Sequence, residues 1–171
     1  MDYAEQIEML GNSERWQEAY RTLDKVADAA LPEILGGMKH ADWRVRRWCV
    51  ALLDHHADQR CVYALVEALN DPSPVVRRHA VHSLGCQRCK NLPLDVDLIT
   101  LLIDKMKNDK NTRVRQVAAH MLGNQLPDSR AFAALQSILK TEQDRKLISN
   151  AKWSACQHDP QNAKRTLSCP T

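Results

Sequence analysis

Apolar side chains recur along this chain at intervals of three and four residues. In the segment 61–69, for example, Val62, Leu65, Val66 and Leu69 fall on one side of a helical projection. This spacing is typical of an amphipathic α-helix with one buried face. Runs of β-branched residues are few and only 5 glycines occur, which disfavours β-sandwiches, barrels and glycine-rich nucleotide loops. The pattern therefore predicts an all-α protein.

The helical pattern is repeated along the chain. Four segments resemble one another, and each carries a small residue at the same place, namely Cys49, Ala80, Ala118 and Ala151. The steps between these positions are 31, 38 and 33 residues. A further amphipathic segment precedes each one, and these begin at Leu31, Cys61, Leu98 and Ala131. The repeating unit is therefore a pair of antiparallel helices, and stacked neighbours cover the apolar face that a single pair leaves open.

The repeats define a single domain with two ends. Four repeats are predicted at roughly 31–58, 59–96, 97–127 and 128–156. Capping helices over 1–30, the second of them over 13–30, precede the repeats, and a tail or short cap over 157–171 follows them. The longest step between repeats is explained by a loop insertion over 86–95.

Residues that start and end helices agree with these boundaries. Asp58, Asp97 and either Asp128 or Ser129 stand where a side chain can cap the first helix of a pair. Gly85 and Gly123 are predicted to end second helices in the left-handed conformation.

A longer motif links the second and third repeats. An acid precedes the second helix, Val-Arg lies in its first turn, Ala follows three residues later and Leu-Gly ends it. The residues are Asp71, Val76, Arg77, Ala80, Leu84 and Gly85, then Asp109, Val114, Arg115, Ala118, Leu122 and Gly123. This pattern resembles HEAT repeats, specifically the short repeats of the bilin-lyase type, over about residues 31–156. The first repeat departs from it with His40 in place of the acid, and the fourth with Ile148 in place of the arginine.

The resemblance implies a fold and a role for the motif. The implied fold is a right-handed α-α superhelix, a HEAT-like solenoid whose second helices line a concave face. The resemblance also implies that Asp71, Arg77, Asp109 and Arg115 form a structural ladder between neighbouring repeats rather than contacting a ligand.

Charge is unevenly distributed along the chain. Residues 1–30 carry a net charge of −4 and the remainder +7, against +3 overall. A basic body with an acidic first segment could bind an anionic surface, although +7 is modest for a nucleic-acid binder. Apolar residues at 44% and charged residues at 26% exclude wholesale disorder.

Several features predict a cytoplasmic protein that does not enter the membrane. No segment approaches the roughly 20 apolar residues of a transmembrane helix, and residues 1–10 lack the apolar core of a secretory signal. We expect the six cysteines to be reduced, because Cys49, Cys61 and Cys156 fall in helical apolar patterns where cysteine acts as a small apolar residue.

The second helices offer a polar side opposite their apolar side. In the second repeat Val76, Ala80 and Leu84 point to the core, so Arg78 and His82 point outward. Aligned positions in the other repeats are mostly polar or basic. The candidate partner-binding residues are Arg44, Arg47, Arg78, His82, Arg113, Gln116, His120, Lys146 and Trp153. Arginine-rich surfaces suit carboxylates and phosphates because the guanidinium donates hydrogen bonds in a fixed fork.

The tryptophans add to this picture. Trp48 neighbours the core position Cys49, which predicts that it packs inside. Trp43 and Trp153 are candidates for stacking on a partner or a base.

A second cluster has the residue types of metal ligands. His79, His82, Cys86 and Cys89 lie within eleven residues, and zinc accepts such nitrogen and sulfur ligands. The signal is weaker than paired C-x2-C motifs, because both histidines come first and lie on one helix. We therefore expect no cofactor, and these four residues are the candidate ligands should a metal bind.

Motifs of catalysis are missing from the sequence, including G-x-S-x-G, the P-loop, G-x-G-x-x-G and H-E-x-x-H. The sequence favours a non-enzymatic scaffold that binds a protein partner with an acidic surface through its second helices, and it leaves an enzymatic role open. One alternative is a nucleic-acid-binding protein, including one that acts on DNA bases. Another is an accessory protein in bilin attachment or a different protein modification, which rests on the resemblance alone.

Overall fold

Helices joined by short turns make up the described part of the chain, residues 2–89 and 94–161 of the computed structural model, and this part contains no strand. The helices preceding the repeats are α1 (Tyr3–Met9) and α2 (Trp16–Lys25). Four pairs follow: α3 (Leu31–Gly37) with α4 (Trp43–His56), α5 (Val62–Ala68) with α6 (Pro74–Gly85), α7 (Leu98–Asn108) with α8 (Thr112–Leu122), and α9 (Ser129–Thr141) with α10 (Arg145–His158). The all-α prediction is confirmed. The first three pairs lie within predicted repeats, whereas α10 of the fourth pair extends past residue 156 to His158.

Side-chain caps explain where many of these helices begin. Asp97 accepts a hydrogen bond from the Thr100 amide at the start of α7, and Asp128 accepts one from the Arg130 amide at the start of α9. Asp58 caps a short 3-10 helix, Gln59–Cys61, which leads directly into α5. These short acidic side chains satisfy amide groups that the first turn of a helix leaves without an intrahelical acceptor.

The prediction that Gly85 and Gly123 adopt a left-handed conformation was wrong. None of the glycines has a positive φ, and Gly123 has a φ of −66°. A Cβ atom at Gly85 would lie 2.6 Å from Cβ of Met121, and one at Gly123 would lie 2.6 Å from Oγ of Ser154. Both distances are shorter than van der Waals contact. Glycine is present because neighbouring side chains pack against its bare backbone.

Both ends of the repeat array differ in detail from the prediction. The helix predicted over 13–30 is shorter, because α2 begins at Trp16 and ends where Val26 leaves the helical conformation (φ −127°, ψ 22°). Residues 26–30 form turns that still bury Ala27 and Ala30. At the other end, α10 extends to His158, and residues 162–171 of the predicted tail lie outside the described residues.

The described residues divide into two compact units. The first holds residues 2–84, 88–89 and 94–95, and the second holds residues 85–87 and 96–161. In the first unit, α1 packs against α2, α3 and α4, and α3 packs against α4. In the second, α7 packs against α8 and α9, and α10 packs against α8 and α9. Within the second unit, first helices thus lie beside first helices and second helices beside second helices. The repeat boundaries and the single domain stay predictions.

Aliphatic side chains form the core of each unit. Fully buried residues of the first unit include Leu23, Leu52, Leu53 and Leu65, and those of the second include Leu102, Met106, Leu122 and Leu135. The buried sides of the helices determine which side chains remain available on the outside.

Candidate functional site

The candidate site lies on the second-helix face, which we define as the side of α4, α6, α8 and α10 that turns away from their buried residues. In the first unit, Val45 on α4 and Val76 and Ala80 on α6 are buried. Helical periodicity then places Arg47 and Arg78 on the open side, where both are half-buried. Cation and aromatic groups dominate this part of the face.

Arg47 lies on an aromatic stack. Its guanidinium carbon is 3.8 Å from the centroid of the Trp48 ring. The other partners of Trp48 are Trp16, with stacked centroids 3.9 Å apart, and Tyr20, whose ring meets it edge-on at 5.5 Å. Trp48 is therefore half-buried between α2 and Arg47 rather than fully inside. The stack holds the arginine against an aromatic surface, which restricts its rotamers.

Arg47 and Arg78 form a pair of like charges. Burial lowers the pKa of Arg47, and the neighbouring positive charge of Arg78 lowers it further. The Nε atom of Arg47 is buried and donates no hydrogen bond to residues 2–89 or 94–161. Within the described residues, no carboxylate lies at ion-pair distance from Arg47 or Arg78. The pair therefore concentrates positive charge that the first unit does not neutralise.

His79 lies beside this pair on α6. Burial, followed by the charges of Arg47 and Arg78, lowers the pKa of His79 to about 4. The imidazole is consequently neutral at physiological pH, where each of its ring nitrogens has a single role as donor or acceptor. The positive charge on this part of the second-helix face therefore comes from the arginines and not from His79.

His82 has a partner that the sequence analysis missed. Its Nε2 atom lies 3.2 Å from Oδ2 of Asp54, on α4. In the first unit, the ligand atoms of Asp54, His82 and Cys89 lie within 4.8 Å of one another, whereas His79 does not belong to this group. Two of the four candidate metal ligands, His82 and Cys89, are thus brought together there, and Cys86 is buried in the second unit. The 31-residue repeat step aligns Asp54 with Gly85, one helical turn from His82, and could have indicated this contact.

Arg44, at the start of α4, is the remaining candidate binding residue of the first unit. Arg44 is exposed and pairs with Asp42, the cap of the same helix, at 3.2 Å. The ring of Trp43 is 37% exposed and lies 5.5 Å from the guanidinium carbon of Arg44. Water screens this exposed pair, so it contributes little to folding and leaves the arginine accessible.

The second unit has its own set of candidates, on α8 and α10. Arg113 and Lys146 are exposed. His120 stacks on Trp153 with ring centroids 4.7 Å apart. Gln116 donates a hydrogen bond of 2.8 Å to Asp144, which also caps α10, so its amide connects the two second helices. The structure therefore brings together His120 with Trp153, and directs Gln116 toward the neighbouring helix.

Other arginines form ion pairs between neighbouring repeats. Arg46 binds Asp71 through Nε and Nη2 at 2.7 and 2.9 Å, and both side chains are mostly buried. In the second unit, Arg115 lies 3.7 Å from Glu142 and donates to the Asp109 carbonyl. In each case an arginine meets the acid of the following repeat, as the implied ladder requires. Sequence reasoning missed Arg46 because the first repeat lacks the acid of the motif.

An exposed counterpart of this ladder occurs where first helices begin. Arg60 bridges its own cap, Asp58, and Asp28 at 2.7 and 2.5 Å. Arg130 repeats the arrangement with Asp128 and Asp97, both at 2.8 Å. Hydrogen bonds from Arg130 and then Thr100 lower the pKa of Asp97 to about 2. These arginines have carboxylate partners, which sets them apart from Arg47 and Arg78.

Comparison with known families decides the classification. The family model for HEAT repeats matches residues 31–95 and 64–155, which is most of the chain. The chain belongs to the HEAT-repeat family. This assignment confirms the resemblance seen in the second and third repeats, and it agrees with stacked helix pairs joined by arginine–carboxylate contacts.

Solved structures of HEAT and armadillo type are similar to this chain. One is the complex of CpcE and CpcF of phycocyanin lyase from Nostoc sp. PCC7120, with a TM-score of 0.74 and 18% identity over 89% of this chain and 96% of that chain. Another is a designed armadillo repeat protein, with a TM-score of 0.60 and 16% identity over 96% of this chain and 86% of that chain. At these identities the similarity establishes the solenoid fold.

No curated protein sequence matches the chain significantly.

Among the described residues, none of the helices combines the length and the hydropathy that a transmembrane span requires.

Proposed function

We propose that this HEAT-repeat protein is a non-enzymatic module that binds an acidic protein partner through the second-helix face. Arg47 and Arg78 form the centre of the proposed contact. The observation that carries the proposal is that the positive charge of Arg78 acts on Arg47, while no carboxylate of the described residues lies at ion-pair distance from either side chain. Arginines used for folding in this chain, such as Arg46 and Arg130, have such carboxylates.

A carboxylate from a partner would relieve the repulsion between the two arginines. Each guanidinium can donate two parallel hydrogen bonds to a carboxylate, and such charge-assisted bonds are stronger than neutral ones. Because Trp48 and Trp16 already hold Arg47 in place, little side-chain entropy is lost on binding.

The second unit supplies further candidate contacts. Arg113 and Lys146 are exposed cations, and the stacked rings of His120 and Trp153 form a flat surface of the kind that anchors interfaces. We propose that these groups form the partner contact of the second unit.

Charge reversal tests the first-unit contact. We expect Arg47→Glu with Arg78→Glu to weaken binding to partners captured from lysate by at least about ten-fold, or about 1.4 kcal/mol, because the partner's carboxylates would meet carboxylates. The measurement is isothermal titration calorimetry with each recovered partner. Circular dichroism and thermal unfolding would show that the variant still folds.

The matched control is Arg21→Glu with Lys39→Glu, which makes the same change in net charge at two exposed positions of the first unit outside the face. It should leave affinity within about two-fold, since distant exposed charges are screened. If both double variants lose the same affinity, the effect is one of net charge alone. If Arg47→Glu with Arg78→Glu leaves the affinity unchanged, the proposed binding surface is wrong.

A second candidate is a subunit of a bilin-attaching enzyme. The favouring observation is the fold similarity to the phycocyanin lyase complex, which extends over nearly the whole of both chains. The test is co-expression of this chain with a companion HEAT-repeat subunit, phycocyanin apoprotein and a bilin. A covalent bilin on the apoprotein, seen in denaturing gels by fluorescence and lost when this chain is omitted, would support the candidate. Identical labelling without the chain would contradict it.

Nucleic-acid binding is examined by the same face variants. Retention on duplex DNA at low salt, falling steeply as salt rises and abolished by Arg47→Glu with Arg78→Glu, would favour it over a protein partner. Absence of retention at low salt would remove this alternative.

A further inference from the structure

Arg47 and Arg78 hold equivalent positions on neighbouring second helices of the first unit. One repeat step of 31 residues separates them along the chain. Their helices, α4 and α6, are joined on both sides of the two arginines. Near the helix starts the contact is the buried ion pair described above, and farther along the hydroxyl of Ser83 donates a hydrogen bond of 3.1 Å to the Val50 carbonyl. The two guanidiniums are therefore carried at the same level by helices that are fixed to each other.

The charge of these two side chains indicates what kind of anion they suit. The positive charge of Arg78 acts on Arg47, and in the described part of the chain no carboxylate lies at ion-pair distance from either. A carboxylate supplies a single negative charge, whereas a phosphorylated serine or threonine carries about −1.5 to −2 at pH 7 and three acceptor oxygens. We infer that Arg47 and Arg78 together bind a phosphorylated serine or threonine side chain of the protein partner. The inference rests on the proposed function, in which the second-helix face binds a protein.

The surroundings of the two arginines favour a dianion. The guanidinium of Arg47 is held on the Trp48 ring, at 3.8 Å from its centroid, so its position is set before the partner arrives. His79 is neutral at physiological pH because burial and the charges of Arg47 and Arg78 lower its pKa to about 4. A neutral imidazole adds a hydrogen-bond donor without adding charge. Two positive charges thus meet the two negative charges of the phosphoryl group.

A single phosphoryl group suits the first unit better than a strand of nucleic acid does. Arg44 and Arg46, the neighbouring arginines of α4, already have carboxylate partners. Proteins that bind duplex DNA commonly contact about 6–10 phosphates, which is more than two open arginines provide. Residues 1–30 belong to the same unit and carry a net charge of −4, so they repel an extended polyanion. The partner chemistry that fits this unit is therefore one phosphorylated side chain in a protein.

Three synthetic peptides test the inference on the full-length chain. They are identical stretches of glycine and alanine with phosphoserine, glutamate or serine at the centre, and their affinities are measured at pH 7.5 by NMR titration. We expect the phosphoserine peptide to bind at least about ten-fold more tightly than the glutamate peptide, because its charge and its oxygens engage both guanidiniums. Equal affinities for these two peptides would overturn the inference, and so would failure of the phosphoserine peptide to bind at millimolar concentration.

A single substitution tests whether both arginines are needed. Arg78→Gln leaves one guanidinium, so the preference for phosphoserine over glutamate should fall to within about two-fold. This ratio does not depend on how much of the variant is folded, since unfolded protein lowers both apparent affinities equally. Arg21→Gln is the matched control, because it removes an exposed arginine of the first unit outside the face, and it should keep the full preference. A preference that survives Arg78→Gln would contradict the paired site.

Phosphatase treatment of a partner captured from lysate separates this inference from the proposed function. Dephosphorylation should weaken binding by at least about ten-fold, as Arg47→Glu with Arg78→Glu does. If only the arginine variant weakens binding, the partner uses carboxylates, so the inference is wrong and the proposed function stands. If only dephosphorylation weakens it, the phosphate binds elsewhere and both are wrong. Duplex DNA that binds more tightly than the phosphoserine peptide, and loses this binding in Arg78→Gln, would assign the two arginines to nucleic-acid phosphates and overturn the inference.

Discussion

Asp71→Ala should cost about 3–5 kcal/mol of unfolding free energy, which is the range measured when one member of a buried ion pair is removed. The side chains of Arg46 and Asp71 are only 13% and 7% exposed. Without Asp71, the guanidinium of Arg46 would remain mostly buried and would keep only the carbonyl oxygens of His40 and Ala41 as acceptors. Urea unfolding at neutral pH measures the loss, and the thermal midpoint should fall by about 2–4 °C per kcal/mol.

Asp42→Ala is the matched control for this prediction. Asp42 caps α4 and pairs with an arginine, but the side chains of Asp42 and Arg44 are 30% and 57% exposed. Its removal should cost only about 1 kcal/mol, the usual value of an N-cap. Asp71→Asn is a second test variant. It removes the charge of the ion pair, while its side-chain oxygen can still accept a hydrogen bond from the Ser73 amide. If Asp71→Ala and Asp42→Ala lower the free energy of unfolding equally, the ion pair of Arg46 and Asp71 contributes no more to stability than a helix cap does.

Gly37→Ala and Gly36→Ala should change stability in opposite directions, although the two glycines are adjacent in α3. A Cβ atom at Gly37 would lie 2.5 Å from Sγ of Cys49 and 2.9 Å from Cγ2 of Ile7. Both neighbours are buried, so Gly37→Ala overpacks the core and should cost about 1–3 kcal/mol. At Gly36 nothing lies within 4 Å of the added atom, and alanine should stabilise the helix by up to about 1 kcal/mol.

Chemical unfolding of the two variants under identical conditions measures this difference, which should be about 1–4 kcal/mol. Each variant is the control for the other, because both make the same chemical change one residue apart. The double variant Gly37→Ala with Cys49→Ala removes the sulfur that the new Cβ would contact, and it should recover part of the loss. A stabilising Gly37→Ala would show that Ile7 and Cys49 can move aside without cost.

The sequence was sufficient to predict what depends on local periodicity. Apolar spacing placed the helix pairs, and the positions of Asp97 and Asp128 marked two helix starts correctly. Each of these features involves residues within one or two helical turns of each other. Local chemistry therefore determines them with little help from the rest of the fold.

Contacts between repeats were harder to predict. The pairing of Asp54 with His82, the stacking of Trp16 on Trp48 and the bond from Arg46 to Asp71 join residues about one repeat apart. Their geometry depends on how helices pack, which a periodic pattern does not specify. The glycine prediction failed for the same reason, because the Leu-Gly ending of a helix is compatible with a left-handed turn and also with a close approach by another helix.

The contact at Gly123 has a consequence for what the second unit presents to its surroundings. Because this residue has no side chain, α10 can bring Trp153 and Ser154 directly against the backbone at the end of α8. A methyl group there would act as a spacer and hold the two helices farther apart at this end. The ring of His120 lies on α8 and that of Trp153 on α10, so their separation would widen as well. The smallest residue in the chain thus sets the spacing of the ring pair formed by His120 and Trp153.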